Sequence, residues 1–252
     1  GGAPVSIVLH DLHKSFGEKE VLRGFSLEVE EGQTLSIIGG SGAGKSVTLK
    51  HIVGLHQPDS GEVWVDGKAV SHLNQEALYE LRRQVGYVFQ FAALFDSMTV
   101  QENVGMGLRR IEGMSESDIA ERVGECLALV ELEGYGSHLP SELSGGQRKR
   151  VGLARAIATE PGYLLYDEPT TGLDPVTTAV IDRLIKRMRE QLGVTGLVIT
   201  HDMTSAYRIS DRIAMLYEGR VRFEGTPDEL KACEDPVVRG FIQGDPDLMA
   251  QK

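Results

Sequence analysis

The sequence feature that most constrains the fold is a glycine-rich stretch that follows an apolar segment. Residues 34–38 (TLSII) predict a buried strand, and a helix is predicted from about residue 45 to residue 55. Between them lies the phosphate-binding pattern GxxxxGK[ST], formed by Gly39, Gly40, Ser41, Gly42, Ala43, Gly44, Lys45 and Ser46. Glycines let backbone N–H groups surround phosphates, and the helix N-terminus favours negative charge. We therefore predict that this loop, continuing to Val47, binds a nucleotide, with the Lys45 amine on phosphate and the Ser46 hydroxyl on Mg²⁺.

A second group of chemistry-bearing residues is a pair of adjacent carboxylates, Asp167 and Glu168. They follow the apolar residues 163–166, which predict a buried strand. In a P-loop fold the carboxyl end of such a strand faces the phosphates. We predict that Asp167 holds Mg²⁺ through a water molecule and that Glu168 polarises the attacking water as general base. Acidic residues at strand ends are common, so the pair is informative only together with the loop at residues 39–46.

The third motif lies between these two and consists of Leu143, Ser144, Gly145, Gly146 and Gln147. A serine and two glycines opening a helix form an anion nest whose N–H groups can meet a γ-phosphate, although the same string would also serve as an ordinary helix cap. The string LSGGQ is the signature of ABC ATPases, and the chain resembles that family over residues 5–230. The resemblance implies a head-to-tail homodimer in the ATP-bound state, in which the signature of each subunit completes the ATP site of the other.

Four further residues fit the same resemblance. Phe16 matches the aromatic residue that stacks on adenine, with a core phenylalanine as the alternative. Gln90 matches the Q-loop glutamine that reaches Mg²⁺ and the attacking water. Asp174 matches a contact across the dimer, and His201 matches the switch histidine at the γ-phosphate. The other histidines are interpreted as structural. The signature and His201 together argue against a P-loop kinase or GTPase.

The resemblance and the alternation of strands with helices predict one fold class. It is an α/β P-loop NTPase with a RecA-like core on a mainly parallel sheet, an N-terminal antiparallel β subdomain and an ABC-type helical subdomain at about residues 91–155. Hairpins are predicted at residues 62–67, with Asp66-Gly67 as the turn, and at residues 213–223. We expect a single ATPase domain over residues 3–244, followed by a tail at residues 245–252. This tail is interpreted either as a frayed terminus or as a contact that strengthens the dimer.

Charge and hydropathy restrict the partners. With 26 Lys and Arg against 37 Asp and Glu, the formal charge is −11, which argues against a nucleic-acid surface and hence against DNA repair or translation. No apolar run approaches the ~20 residues that span a bilayer. We therefore expect a peripheral subunit on the cytoplasmic face of the inner membrane that acts through integral-membrane permease subunits. Cys126 and Cys233 belong to no metal-binding pattern and are predicted to be reduced thiols.

The segment after Gln90 narrows the class of transporter. Between Gln90 and Leu108 the sequence is unusually apolar for an exposed loop, with Phe91, Ala92, Ala93, Leu94, Phe95 and Met98. The resemblance to ABC ATPases implies that this segment forms the groove that receives a coupling helix of the permease; the alternative, packing of the helical subdomain, explains about half of these residues. Residues 89–100, the Gly39-Gly40-Ser41 opening and residues 235–244 resemble the ATPases of MCE-associated, Mla-type phospholipid transporters. That resemblance implies lipid transport with an MCE-domain partner. The alternative is an importer of amino acids or other polar solutes.

Overall fold

The computed structural model describes residues 4–250 except residues 41 and 43. Within these residues the chain forms ten strands and ten α-helices. The strands are β1 Val5–Phe16, β2 Lys19–Glu30, β3 Thr34–Ile38, β4 Ser60–Val65, β5 Lys68–Ala69, β6 Val85–Val88, β7 Tyr163–Asp167, β8 Thr195–Ile199, β9 Arg212–Tyr217 and β10 Arg220–Gly225. The helices are α1 Lys45–Ile52, α2 Gln75–Arg83, α3 Val100–Gly105, α4 Glu116–Leu129, α5 Gly145–Ile157, α6 Pro175–Leu192, α7 Met203–Ile209, α8 Pro227–Ala232, α9 Pro236–Gln243 and α10 Pro246–Met249. The chain divides into two compact units, residues 1–81 with 195–252 and residues 82–194.

The first unit contains an antiparallel sheet with strand order β2-β1-β4-β5. Ile7 of β1 lies opposite Val29 of β2 and Val65 of β4, and all three are buried. The connection from β4 to β5 is the predicted Asp66-Gly67 turn. Both residues have positive φ values, 50° and 73°, as a type I′ hairpin turn requires. The predicted hairpin is therefore confirmed.

A second sheet in the first unit has the order β10-β9-β3-β8. Strand β3 is fully buried and runs parallel to both β8 and β9, whereas β10 is antiparallel to β9. Ile37 of β3 pairs with Ile199 of β8, so the two strands end side by side. The glycine-rich loop and His201 consequently leave the sheet at the same edge, where parallel sheets bind their ligands.

In the second unit, strands β6 and β7 pair in parallel, and the remaining regular elements are helices. Val88 of β6 lies opposite Tyr166 of β7, which brings Gln90 and Asp167 to one edge of this pair. Gly86 of β6 allows α5 to approach closely, because a Cβ there would lie 2.5 Å from the Ala156 carbonyl oxygen. Helix α4 buries one apolar face, formed by Ile119, Val123 and Leu127, and Val130 after the helix is buried as well.

The structure contradicts one of the two interpretations of the C-terminal tail, that of a frayed terminus. Residues 245–250 are not frayed: Asp245 accepts hydrogen bonds from the N–H groups of Asp247 and Leu248 at 3.0 and 3.2 Å and caps α10. Met249 packs against the cluster that contains Val237 and Val238 of α9. In the described part of the chain, no helix is both long enough and apolar enough to cross a membrane.

Candidate functional site

The glycine-rich loop is shaped by two of its residues in particular. Gly44 has φ 92° and lies so close to β2 that a Cβ would overlap the Val21 side chain, so only glycine fits there. Lys45 is 6% exposed, and its amine donates hydrogen bonds to the carbonyl oxygens of Gly39 and Gly40 at 2.7 and 3.0 Å. The Lys45 amine thus lies within the loop whose bound phosphates it is predicted to contact. Ser41 and Ala43, also predicted to contact nucleotide, lie outside the described residues.

Helix α1 presents its N-terminus to this loop, with Ser46 and Val47 in the first turn. The N–H groups of a first turn have no acceptor within the helix, and they form the positive end of its dipole. No acidic residue occupies this turn, while Lys50 and His51 stand in the last turn. The charge pattern of α1 therefore suits an anion at its start.

Phe16, at the end of β1, is 43% exposed, so the alternative of a core phenylalanine is wrong. The His56 ring meets Phe16 edge-on at 5.3 Å between centroids, and the Lys14 amine lies 5.4 Å from the Phe16 centroid. The strand end is also fixed, because the Ser15 N–H donates to the Asp59 carboxylate at 2.7 Å. The Phe16 ring is thus contacted by His56 and Lys14 while its side chain stays accessible.

The histidines of the first unit fall into different environments. His201 follows β8 and is exposed. His51 is 1% exposed and its Nδ1 lies 2.8 Å from the Val47 carbonyl oxygen. Burial lowers the pKa of His51, against a smaller opposing effect of that hydrogen bond. His51 is therefore structural, as predicted, whereas the His201 side chain reaches the surface.

In the second unit, Gln90 is half-buried and precedes two strained residues. Ala92 and Ala93 have φ 60° and 50°, the left-handed region that non-glycine residues avoid. Arg155 of α5 donates to both of their carbonyl oxygens, at 2.5 and 2.9 Å. Of the apolar residues that follow Gln90, Ala92 is buried, whereas Phe91 is 81% and Phe95 50% exposed. Packing within the unit thus explains Ala92 but not the two phenylalanines.

The carboxylate pair lies at the end of β7. Asp167 is its last residue and is half-buried; burial raises the pKa of the nearby Tyr87, and the Asp167 charge raises it further. Glu168 adopts φ 48°, and the Thr171 hydroxyl donates to its Oε2 at 3.2 Å. The amine of Lys149 donates to the carbonyl oxygens of Thr171 and Glu168 at 2.8 and 3.4 Å. The turn that carries Glu168 is thus held from α5.

The LSGGQ string forms the start of α5. The Ser144 Oγ accepts from the Gln147 N–H at 3.1 Å, and the Gln147 side chain accepts from the Ser144 N–H at 2.9 Å. This is a capping box, so the string does cap a helix. The box leaves the N–H groups of Gly145 and Gly146 without an acceptor inside the helix, as a phosphate nest requires. A Cβ on Gly146 would overlap the Thr177 side chain.

Asp174 stands where α6 begins, close to this helix start. Its Oδ1 accepts from the Val176 and Thr177 N–H groups at 3.0 and 2.9 Å, and its Oδ2 accepts from the Thr177 hydroxyl at 2.6 Å. The hydroxyl bond is the main reason that the pKa of Asp174 lies below its usual range. Gly146 and Asp174 therefore both contact Thr177, which connects the signature to α6.

Sequence reasoning missed three residues that hold site residues in place, namely Lys149, Arg155 and Thr171. The signal for Lys149 was present but weak: it is a lysine two residues after the signature, on a helix whose neighbouring residues Val151, Leu153 and Ala154 are buried. A strand, a glycine-rich loop and a helix on a mainly parallel sheet define the class of P-loop NTPases, as predicted.

Comparison with known proteins gives the family. The family described as ABC transporter matches residues 22–171. The chain is 43% identical to the Arabidopsis thaliana protein trigalactosyldiacylglycerol 3, chloroplastic, over 95% of this chain and 74% of that one. It is 42% identical to the sulfate/thiosulfate import ATP-binding protein CysA of Caulobacter vibrioides over 94% and 70%. A methionine import ATP-binding protein, MetN of Brucella abortus, is 41% identical over 96% and 65%.

Solved structures agree with the sequence comparison. The ATP-binding cassette MJ0796, in a dimeric post-hydrolysis state bound to ADP and Pi, superimposes with a TM-score of 0.80 at 37% identity, over 88% of this chain and 98% of that one. The cbiO1 protein of Clostridium perfringens, part of an ABC transporter complex, gives a TM-score of 0.84 at 28% identity over 98% of each chain. The chain belongs to the ABC transporter family, and it is an ATPase and ATP-binding subunit of that family.

Proposed function

We propose that this chain energises the transport of phospholipids between membranes, together with permease subunits and an MCE-domain partner. The observation that carries the proposal is the 43% identity, over 95% of this chain, to a relative whose name refers to a galactolipid. The resemblance of residues 89–100 and 235–244 to Mla-type ATPases supports the same assignment. The ATPase domain would comprise residues 3–244, with the helical subdomain at about residues 91–155.

The working form would be a homodimer with ATP bound. In the signature, the first-turn N–H groups of Gly145 and Gly146 suit a γ-phosphate, and the relative MJ0796 is described as a dimer. Ser144, Gly145, Gly146 and Gln147 of one subunit would meet the nucleotide of the other, with Asp174 beside them. Closing on ATP and opening after hydrolysis would then move the attached permease subunits.

The chemistry assigned to each residue is as follows. The glycine-rich loop and Lys45 bind the phosphates, while Phe16 stacks on adenine. Glu168 accepts a proton from the water that attacks the γ-phosphorus, and the bond from that phosphorus to the β–γ bridging oxygen breaks, giving ADP and phosphate. His201 contacts the γ-phosphate, and Gln90 orients the attacking water.

Magnesium fits the side chains proposed to hold it. Ser46, Gln90 and Asp167 offer a hydroxyl, an amide oxygen and a carboxylate, the hard oxygen donors that Mg²⁺ prefers. The described residues contain no group of three or more His, Cys, Asp or Glu residues placed to bind a metal alone. This agrees with an ion held jointly by one carboxylate and the nucleotide phosphates. When bound, the ion would neutralise charge on the phosphates.

The role of Glu168 is tested by Glu168→Gln. Because a general base contributes about 10²–10⁴-fold, we expect kcat for ATP hydrolysis to fall by at least ~100-fold while ATP binding is retained and an ATP-bound dimer accumulates. Glu133→Gln, an exposed carboxylate of the same unit, serves as the control and should behave as the wild type. Wild-type turnover in Glu168→Gln would remove Glu168 from the base role.

The exposed phenylalanines carry the proposed contact with the permease. Phe91 and Phe95 lie just after Gln90, and aromatic residues of this kind anchor protein interfaces. An amphipathic coupling helix of the permease would pack against them, placing this chain on the cytoplasmic face of the inner membrane as a peripheral subunit.

The second candidate function is the import of polar solutes. It is favoured by the 42% and 41% identity to proteins named for sulfate/thiosulfate and methionine import. Mass spectrometry of the intact membrane complex, purified through this subunit, separates the two. We expect an MCE-domain protein and bound phospholipid; a solute-binding protein with no bound lipid would support the polar-solute importer and refute lipid transport.

A further inference from the structure

Lys149 occupies an unusual environment for a lysine. It is 9% exposed within α5, three residues after Gly146, and burial lowers the pKa of its amine to about 8, against the opposing attraction of the Glu168 carboxylate. Lysines are almost never fully buried unless they are paired, because desolvating an ammonium group is costly. The hydrogen bonds of the amine are therefore what offsets the cost of burying it.

The Lys149 amine contacts both ends of one turn, which runs from Glu168 to Thr171. The amine donates to the Thr171 carbonyl at 2.8 Å and to the Glu168 carbonyl at 3.4 Å, and the Thr171 N–H donates to the Glu168 carbonyl at 3.3 Å. Glu168 has a left-handed φ of 48°, a conformation that a non-glycine residue keeps only when its surroundings impose it. The Lys149 amine and the Thr171 hydroxyl, which contacts Glu168 Oε2, are two such restraints.

The same helix begins at the signature. From Gly146 to Lys149 the rise along α5 is about 4.5 Å, less than one turn, and Lys149 lies within the regular helix. A shift of the helix start is therefore passed to the Lys149 backbone, because a single helical turn is too stiff to absorb it, and two hydrogen bonds connect the Lys149 amine to the turn. Lys149 joins the nest at one end of α5 to the turn that carries the proposed base.

We propose that Lys149 is a positioning residue for Glu168 and that it transmits docking of the signature helix to the placement of this carboxylate. This inference rests on the proposed function, in which Glu168 is the general base and the signature contacts nucleotide in a dimer. Each chain's signature then influences hydrolysis at its own Glu168 while it completes the ATP site of its partner.

Lys149→Met tests the positioning role, because it removes the amine and keeps an unbranched apolar side chain. Misplacement of a catalytic group by about 1 Å can cost 10²-fold, so we expect kcat to fall on the order of 10- to 100-fold while the Kd for ATP stays within about twofold. Lys149→Arg keeps the charge and donors and should recover part of kcat. Lys186→Met, an exposed lysine of the same unit, is the matched control and should leave both constants unchanged.

Two results would overturn the positioning role. One is a kcat for Lys149→Met within twofold of wild type; the other is loss of ATP binding in parallel with kcat, which would show a general folding role. Failure of the base role on which this inference rests is seen separately, because Glu168→Gln would then hydrolyse ATP at the wild-type rate whatever Lys149 does.

Transmission from the signature is tested by a double-mutant cycle between Ser144→Ala and Lys149→Met. If docking acts through Lys149, Ser144→Ala should lower kcat less in the Lys149→Met background than in the wild-type background. Effects on kcat that simply multiply would show that the signature does not act through Lys149 and would overturn this part of the proposal.

Discussion

Arg155 fixes the backbone that follows Gln90, and its removal is expected to lower the stability of the fold. Ala92 and Ala93 are both left-handed, which costs about 1–2 kcal/mol for each non-glycine residue. The guanidinium of Arg155 offsets this cost through hydrogen bonds to the Ala92 and Ala93 carbonyl oxygens at 2.5 and 2.9 Å. The conformation of this loop thus depends on one side chain from α5.

Arg155→Met removes both donors and keeps most of the apolar stem. A hydrogen bond to a charged group contributes about 1.5–3 kcal/mol, and the partial exposure of this site places each bond at the lower end. Two bonds therefore contribute about 3 kcal/mol. We expect the free energy of unfolding to fall by this amount, which corresponds to a decrease in Tm of about 6–12 °C for a chain of this size.

The assay is thermal and urea denaturation of Arg155→Met, Arg155→Lys and the control Arg110→Met, an arginine that is exposed in the same unit. Lysine offers a single point donor instead of a planar fork, so Arg155→Lys should lose stability to an intermediate degree. A Tm for Arg155→Met within about 1 °C of Arg110→Met would refute the argument that these two bonds hold the loop.

Two further predictions concern close packing and pH. Gly146→Ala should lower the free energy of unfolding by about 1–3 kcal/mol in urea denaturation, and Thr177→Ser, which lacks the overlapping methyl group, should restore it; no loss in the single variant would contradict the packing. Because burial lowers the pKa of His51, the unfolded chain binds more protons below pH 6.5, and stability should fall by up to about 1.4 kcal/mol per pH unit there. Urea denaturation at pH 7.5 and 5.5 should show a smaller fall for His51→Leu than for wild type or the exposed-site control His72→Leu; equal falls would refute this assignment.

Parts of the fold whose signals are local were predictable from the sequence. Strand β3 has the predicted bounds 34–38, and the Asp174-Pro175 pair begins α6, because a capping carboxylate and a proline at the first helical position act on their own turn. Residues 5–9 and 25–29 carry an apolar and polar pattern that predicts strands, and strands β1 and β2 are much longer than these segments. Their register shifts between Leu9 and Leu12, where Asp11 has φ 46°, and such a bulge breaks the alternation that reveals a strand.

Residues of the candidate site were likewise predictable where the signal is local in the sequence, and not where it depends on contacts between distant residues. Motif residues such as Lys45, Glu168 and Ser144 were predicted because each motif is contiguous in the chain. Lys149 and Arg155 were not, since Lys149 contacts a residue 22 positions away and Arg155 a residue 63 positions away. Only the folded chain brings such pairs together, so no spacing in the sequence reports them.

Helix α5 contains more glycine than helix propensity favours. Glycine costs about 1 kcal/mol in a helix interior relative to alanine, yet α5 has Gly152 in its interior, in addition to Gly145 and Gly146 in its first turn. Gly146 leaves room for Thr177, whose side chain a Cβ would overlap, and Gly152 lies against Ala92, where a Cβ would make an ordinary contact at 3.5 Å. Because its glycines lower its intrinsic stability, α5 depends on the elements that pack against it. These elements are the start of α6, the turn at Glu168 and the loop after Gln90. A displacement of any one of these three elements would therefore shift α5, and the other two would move in response because they contact the same helix.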